Sequence, residues 1–244
     1  MRFTLVSIAA LGLALAACGE KSTAPAGDAA APAATPAPAG QNWADMVAAT
    51  PEGGFRMGNP DARVKLVEFA SLTCPHCAEF HEQGFATLKA KYIASGNVSY
   101  EYRNFVLNGP DYAASLLARC QDASAFFGLL EAFYVDQRSW TEPFSKISDA
   151  QSQELGRLPQ DQQISRLAEL GGLDAYVRTR GIPKAKFDAC LADKAALDKL
   201  IALRTEATDT YKLTGTPGFI INGATQEGVF TWADLEPKLQ AALR

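Results

Sequence analysis

Two cysteines separated by two residues, Cys74-Pro75-His76-Cys77, lie at the seam between a predicted strand and a predicted helix. Residues 64–70, Val-Lys-Leu-Val-Glu-Phe-Ala, form an apolar run of strand length, and residues 78–94 carry Phe80, Phe85, Leu88 and Ile93 at helical spacing. The seam puts Cys74 against the unpaired N–H groups and positive end of the helix, which favour thiolate over thiol. Cys77 falls one turn further in, within reach of a mixed disulfide formed on Cys74. Cys74 is therefore the expected nucleophile and Cys77 the resolving thiol. Pro75 suits a first helical turn, where no donor is needed, and His76 is placed to offer a hydrogen bond or positive charge to the Cys74 sulfur. A stabilised thiolate favours the dithiol and makes the disulfide a better oxidant. Two other uses of such a pair stand beside this one: a plain structural disulfide, or half of a metal site completed by His81. The chain has 2 histidines and no second Cys-x-x-Cys, so His81 is expected to face solvent on its helix.

A second motif stands near the other end: Thr214-Gly215-Thr216-Pro217-Gly218-Phe219-Ile220-Ile221-Asn222-Gly223. Gly-Thr-Pro leads into a short apolar strand, and Asn-Gly is a strong hairpin turn, predicting a return strand over residues 226–230. Thr231 is a plausible N-cap for a last helix.

At the N-terminus, Arg2 precedes an apolar run over residues 3–17 that is short for a bilayer span and has the form of a signal peptide. It ends Leu15-Ala16-Ala17-Cys18, similar to the lipobox of bacterial lipoproteins, so Cys18 is the expected lipid anchor. The alternative is an ordinary leader with Cys18 left as a free thiol. Residues 20–40 are almost wholly Ala, Pro, Gly, Ser and Thr, too poor in large apolar groups to offset chain entropy. Residues 18–41 are thus read as lipidated cysteine plus disordered tether, with a reach of roughly 25 Å coiled to roughly 65 Å extended. Export favours disulfides, and with Cys18 lipidated the other 4 of 5 cysteines are even in number. Cys120 and Cys190 then form a structural pair, or remain two buried thiols. Loss of Arg2 leaves 22 basic against 27 acidic residues, a net −5, and no Lys/Arg block marks a nucleic-acid partner.

The two motifs, Glu68 to Cys77 and Thr214 to Gly223, resemble those of the DsbA family of periplasmic oxidoreductases. The resemblance covers residues 54–244 and includes the lead-in Gly58-Asn59-Pro60-Asp61-Ala62. It implies an α/β, thioredoxin-like fold with an inserted helical subdomain, the former at residues 54–110 and 205–244 and the latter at 111–204. It also implies that Pro217 is cis and packed on the cysteine pair, and that the Thr216 backbone pairs with an extended substrate. Glu68, six residues before Cys74, matches the buried acid that handles the second cysteine's proton. Phe126, Phe127, Phe133, Tyr134 and Trp140 are expected to fill the insert's core. The implied activity is dithiol–disulfide exchange without a bound cofactor, oxidising exported proteins in the periplasm. A DsbB-like membrane reoxidase would restore the disulfide. A reductase or isomerase of the same fold is the runner-up, and a metal-binding lipoprotein using Cys74, Cys77 and His81 is the reading from a different class.

Overall fold

The computed structural model describes residues 33–244. The signal peptide and Cys18 lie outside the described residues.

Six strands form one sheet in the order β1-β2-β4-β3-β5-β6, where β1 is Val47–Ala49, β2 Phe55–Met57, β3 Val64–Ala70, β4 Val98–Asn104, β5 Gly218–Ile221 and β6 Ala224–Thr225. Among the described residues only β3 and β4 pair in parallel; every other pairing is antiparallel. A parallel pair needs a long crossover, and helix α1 supplies it. It starts as α-helix over Pro75–Phe80 and continues through π turns at His81–Phe85 and Leu88–Ile93. Glu68, Tyr100 and Leu66 belong to the sheet face under α1, while Phe69 joins Phe105, Ala207 and Ile220 in a separate cluster on the other face. Gly84 lets α1 approach the last helix, α10 (Trp232–Ala242), because a Cβ there would stand 2.7 Å from Trp232.

Between β4 and β5 run eight α-helices: α2 Gly109–Arg119, α3 Ala123–Val135, α4 Gln137–Thr141, α5 Asp149–Arg157, α6 Gln160–Leu170, α7 Leu173–Arg178, α8 Lys184–Leu191 and α9 Lys194–Asp209. The five expected core aromatics are all buried. They fill the seam between insert and sheet as well as the insert itself: Phe126 stacks on Phe55 of β2 at 3.8 Å, and Phe127 reaches Tyr100 at 5.8 Å. Cys120 and Cys190 are disulfide-bonded, with Cα atoms 5.6 Å apart, tying the end of α2 to α8. A closed loop of about 70 residues contributes about 4 kcal/mol in the chain-entropy account.

Three expected boundaries move. No break occurs at 204, because α9 runs unbroken from an Asp193 cap to Asp209. The sheet begins at Val47 and not at 54, its first strand being a three-residue edge too short for periodicity to reveal. The tail of the expected tether is held on the domain: Thr35 N–H donates to the Ser95 carbonyl at 2.8 Å, and the Trp43 indole donates to the Thr35 carbonyl at 2.9 Å. Those bonds, with one from the Asn97 amide to the Ala33 carbonyl, hold an Ala/Pro-rich stretch that has no large apolar side chain of its own. The hairpin turn at Asn222-Gly223 forms with φ of 49° and 85°, the left-handed pair that Asn-Gly favours. Its return strand is Ala224–Thr225, earlier and shorter than the predicted 226–230. Thr231 caps α10 as expected, accepting from the Asp234 N–H.

Candidate active site

Cys74 is the N-cap residue of α1 with extended backbone, φ −81° and ψ 120°, and Pro75 occupies the first turn. Both motif cysteines are thiols, Cys74 6% exposed and Cys77 0%. The Thr216–Pro217 bond is cis. The Cys74 thiol donates to the Thr216 carbonyl at 3.3 Å, so the loop that was 142 residues away in sequence closes over the Cys74 sulfur.

Cys74 is poised to ionise. Its pKa is lowered to about 5, chiefly because the Cys77 thiol donates to its sulfur, with help from the Thr216 side chain and from the Cys77 and His76 backbone N–H groups against the opposing effect of burial. The Thr216 hydroxyl is buried and has no other partner, so it is free to donate once the sulfur is a thiolate; the thiol itself uses the carbonyl instead. Burial pushes the Cys77 thiol the other way, well above its ordinary value, reinforced by its bond to Cys74 and by the Glu68 charge. The two sulfurs are thus separated in acidity, Cys74 lowered and Cys77 raised.

His76 departs from expectation in one respect. Its side chain is 72% exposed and lies 3.7 Å from Glu79, one turn on. What the structure aims at the sulfur is the His76 backbone N–H, a contribution of the helix start that any residue except proline could make there.

Glu68 is fully buried at the centre of the sheet, opposite Tyr102 on β4 and Phe219 on β5. The Tyr100 hydroxyl donates to its Oε2 at 2.5 Å, and the His81 Nε2 lies 3.4 Å from the same oxygen. The solvent-facing His81 expected from the sequence is therefore corrected: α3 covers that flank of α1, and Tyr134 stacks on the imidazole at 4.3 Å. Among the described residues no group of three or more His, Cys, Asp or Glu side chains could hold a metal. His81 is committed to Glu68 and does not join the cysteines as a ligand.

Two insert residues that sequence reasoning missed fix the loop ahead of Cys74. The Gln137 amide donates to the Leu72 carbonyl at 2.8 Å and the Cys74 carbonyl at 2.9 Å. Asp111, buried and raised to about 6 by that burial, accepts from the Ser71 hydroxyl and from the Leu72 and Leu107 N–H groups. In the structure Asn108 caps α2, accepting from the Asp111 N–H, and nothing in that helix start marks a partner 40 residues upstream.

A Cys-x-x-Cys pair at a strand-to-helix seam, faced by a cis-proline loop, on a sheet interrupted by a helical insert, defines the thioredoxin-like class. A thioredoxin family model matches residues 50–241. The chain belongs to that family. It is 31% identical over 177 residues to a Rickettsia bellii protein described as a protein-disulfide oxidoreductase, covering 72% of this chain and 60% of that one. A Rickettsia felis protein of the same description is 29% identical over 188 residues, 77% of this chain and 59% of that one. The chain thus spans about three-fifths of the length of these curated relatives. Among solved structures, a protein-disulfide isomerase from Novosphingobium aromaticivorans is similar, with TM-score 0.74, 34% identity, and coverage of 78% of this chain and 96% of that one. Wolbachia pipientis alpha-DsbA1 shares the fold at TM-score 0.61 and 24% identity, over 77% of this chain and 89% of that one.

Proposed function

We propose that the protein is a DsbA-type thiol-disulfide oxidoreductase that introduces disulfides into exported proteins. The observation that carries this reading is the split in acidity between Cys74, lowered to about 5, and the buried Cys77, pushed up. A thiolate held this far below its ordinary value stabilises the dithiol, so the disulfide form gives up its oxidising equivalents readily. In the forward direction a substrate thiolate attacks the Cys74 sulfur, the Cys74–Cys77 bond breaks, and its electron pair goes to Cys77, which takes a proton. A second substrate thiolate then attacks the substrate sulfur of the mixed disulfide and releases Cys74 as thiolate. Glu68 is the group that gives and receives the Cys77 proton, as the family resemblance implies. Substrate chains approach along Thr216 and cis-Pro217, where a cleft of about 250 Å³ runs beside Pro217 to Phe230, a phenylalanine left 53% exposed.

The periplasmic placement, the Cys18 lipid anchor and a DsbB-like quinone-linked reoxidase belong to the same proposal. They rest on the leader, the lipobox-like run and the family. Disulfide isomerisation is the second reading, favoured by the name of the Novosphingobium relative. Mixing the oxidised chain with reduced, unfolded ribonuclease A separates the two. The oxidase reading expects about two substrate thiols lost per enzyme disulfide. No thiol loss, together with recovery of activity from scrambled ribonuclease by the reduced chain, would favour the isomerase.

A further inference from the structure

His81 is a buried histidine with one ring nitrogen engaged and the other unclaimed. Its side chain is 4% exposed, and Nε2 stands 3.4 Å from both Glu68 Oε2 and the Tyr100 hydroxyl. Phe85 and Tyr134 stack against the ring at 4.7 Å and 4.3 Å, with interplanar angles of 24° and 28°. The buried Nδ1 has no hydrogen-bond partner among the described residues. Leaving such a group unpaired is unfavourable, and a phenylalanine in the same stack would avoid that penalty. The same ring lines a groove of about 430 Å³ along α1 and α3, rimmed by Glu82, Lys89 and Glu131. The ring therefore stands between that groove and the buried acid.

We propose that His81 is a proton relay, exchanging protons with groove water at Nδ1 and with Glu68 at Nε2. The proposal rests on the exchange reading and extends it to the question of how Cys77 trades a proton with solvent. Cys77 is fully buried, and burial holds it as a thiol whenever it is not in the disulfide. The neighbouring hydroxyls do not serve as the shuttle: Tyr100, Tyr102 and Tyr134 are all held well above their ordinary range by burial, so each keeps its proton. Tyr100 instead orients Glu68 by donating to it.

The steps balance over one cycle. When a substrate thiolate attacks Cys74, the S–S bond to Cys77 breaks and the Cys77 sulfur takes the electron pair and a proton that the Glu68 carboxylate passes on from the His81 Nε2–H. Groove water protonates Nδ1 as Nε2 gives up its proton, so Glu68 ends as the carboxylate it began as and the ring ends as the other neutral tautomer. Reoxidation runs in reverse: Glu68 takes the proton of Cys77 as its sulfur attacks the mixed disulfide on Cys74 and passes it to Nε2, and the Nδ1 proton leaves to the groove. Each half-reaction resets the tautomer needed by the other, with no ring flip. The charged and titratable groups around the ring are Glu68 from β3, Tyr100 and Tyr102 from β4, Glu131 and Tyr134 from α3, and Cys77, Glu82 and Lys89 from its own helix.

The test uses the full oxidised chain reduced by dithiothreitol in a stopped-flow instrument from pH 5 to pH 8, with His81→Phe keeping the stack and His81→Gln keeping a polar end that does not titrate. The relay predicts a fall of about tenfold or more in both variants, a changed pH profile, and restoration of the rate by added imidazole, as for loss of other proton-transfer groups. Wild-type rates and profile in both variants would overturn it. So would a slower reaction that keeps the wild-type pH profile and ignores imidazole, which would mark His81 as packing alone. A wild-type chain that dithiothreitol does not reduce would strike down the exchange reading and the relay together.

Discussion

The Cys77→Ser variant is expected to accumulate covalent complexes with substrate proteins, at least about tenfold above wild type on non-reducing gels, while Cys74→Ser traps none. The asymmetry follows from position. Cys74 caps α1 beneath the Thr216 carbonyl and meets the incoming chain, whereas Cys77 lies one turn inside at 0% exposure. Without Cys77, nothing inside the enzyme can attack the mixed disulfide on Cys74, so the complex persists until an external thiol releases it. A structural disulfide or a metal site would treat the two sulfurs alike, since each needs both for one purpose. Equal trapping by the two variants, or none by either, would contradict the exchange mechanism.

A second large effect is expected in the pH dependence of stability. Cys74 has a folded pKa of about 5 against an ordinary 9.0, so its thiolate contributes stability that is fully present above about pH 9 and lost as pH falls through about 5. The oxidised form has no thiol to titrate and lacks this contribution. From pH 5 to pH 7 the reduced chain should therefore gain roughly 2 kcal/mol over the oxidised chain, allowing for partial solvent screening. The four-atom bridge of the disulfide adds an offset that does not depend on pH, so the trend and not the absolute gap is the readout. Asp111, raised to about 6, titrates in both forms and cancels in the difference. Paired denaturant titrations of reduced and oxidised protein at several pH values measure it; a gap independent of pH would contradict the assignment of Cys74 as the lowered thiol.

The strand–turn–helix around Cys74 was legible because its signals are local: an apolar run, a Pro at the first turn, and a helical stripe. Pro217 and Glu68 were legible only through family resemblance, since nothing local distinguishes a cis bond or a buried strand acid. The rest depends on contacts the chain makes far from itself. His81 follows its helical period correctly, yet its burial is decided by Tyr134, 53 residues on, and periodicity carries no record of what will cover a helix flank. Gln137 and Asp111 reach the Cys74 loop across separations of 63 and 39 residues, and in sequence each is an ordinary polar residue near a helix start. His76 is the opposite case: it neighbours the cysteine in sequence, while its side chain turns outward to Glu79.

The central claim is that the Cys74–Cys77 disulfide is an oxidant, and its reduction potential tests that most directly. Equilibration of the chain with glutathione buffers, read by alkylation of the two thiols, gives the value. An oxidising pair is expected at a potential above about −200 mV, in the range of disulfide-forming and disulfide-shuffling enzymes. A value near about −270 mV, where thioredoxin lies, would contradict it and make the protein a reductant.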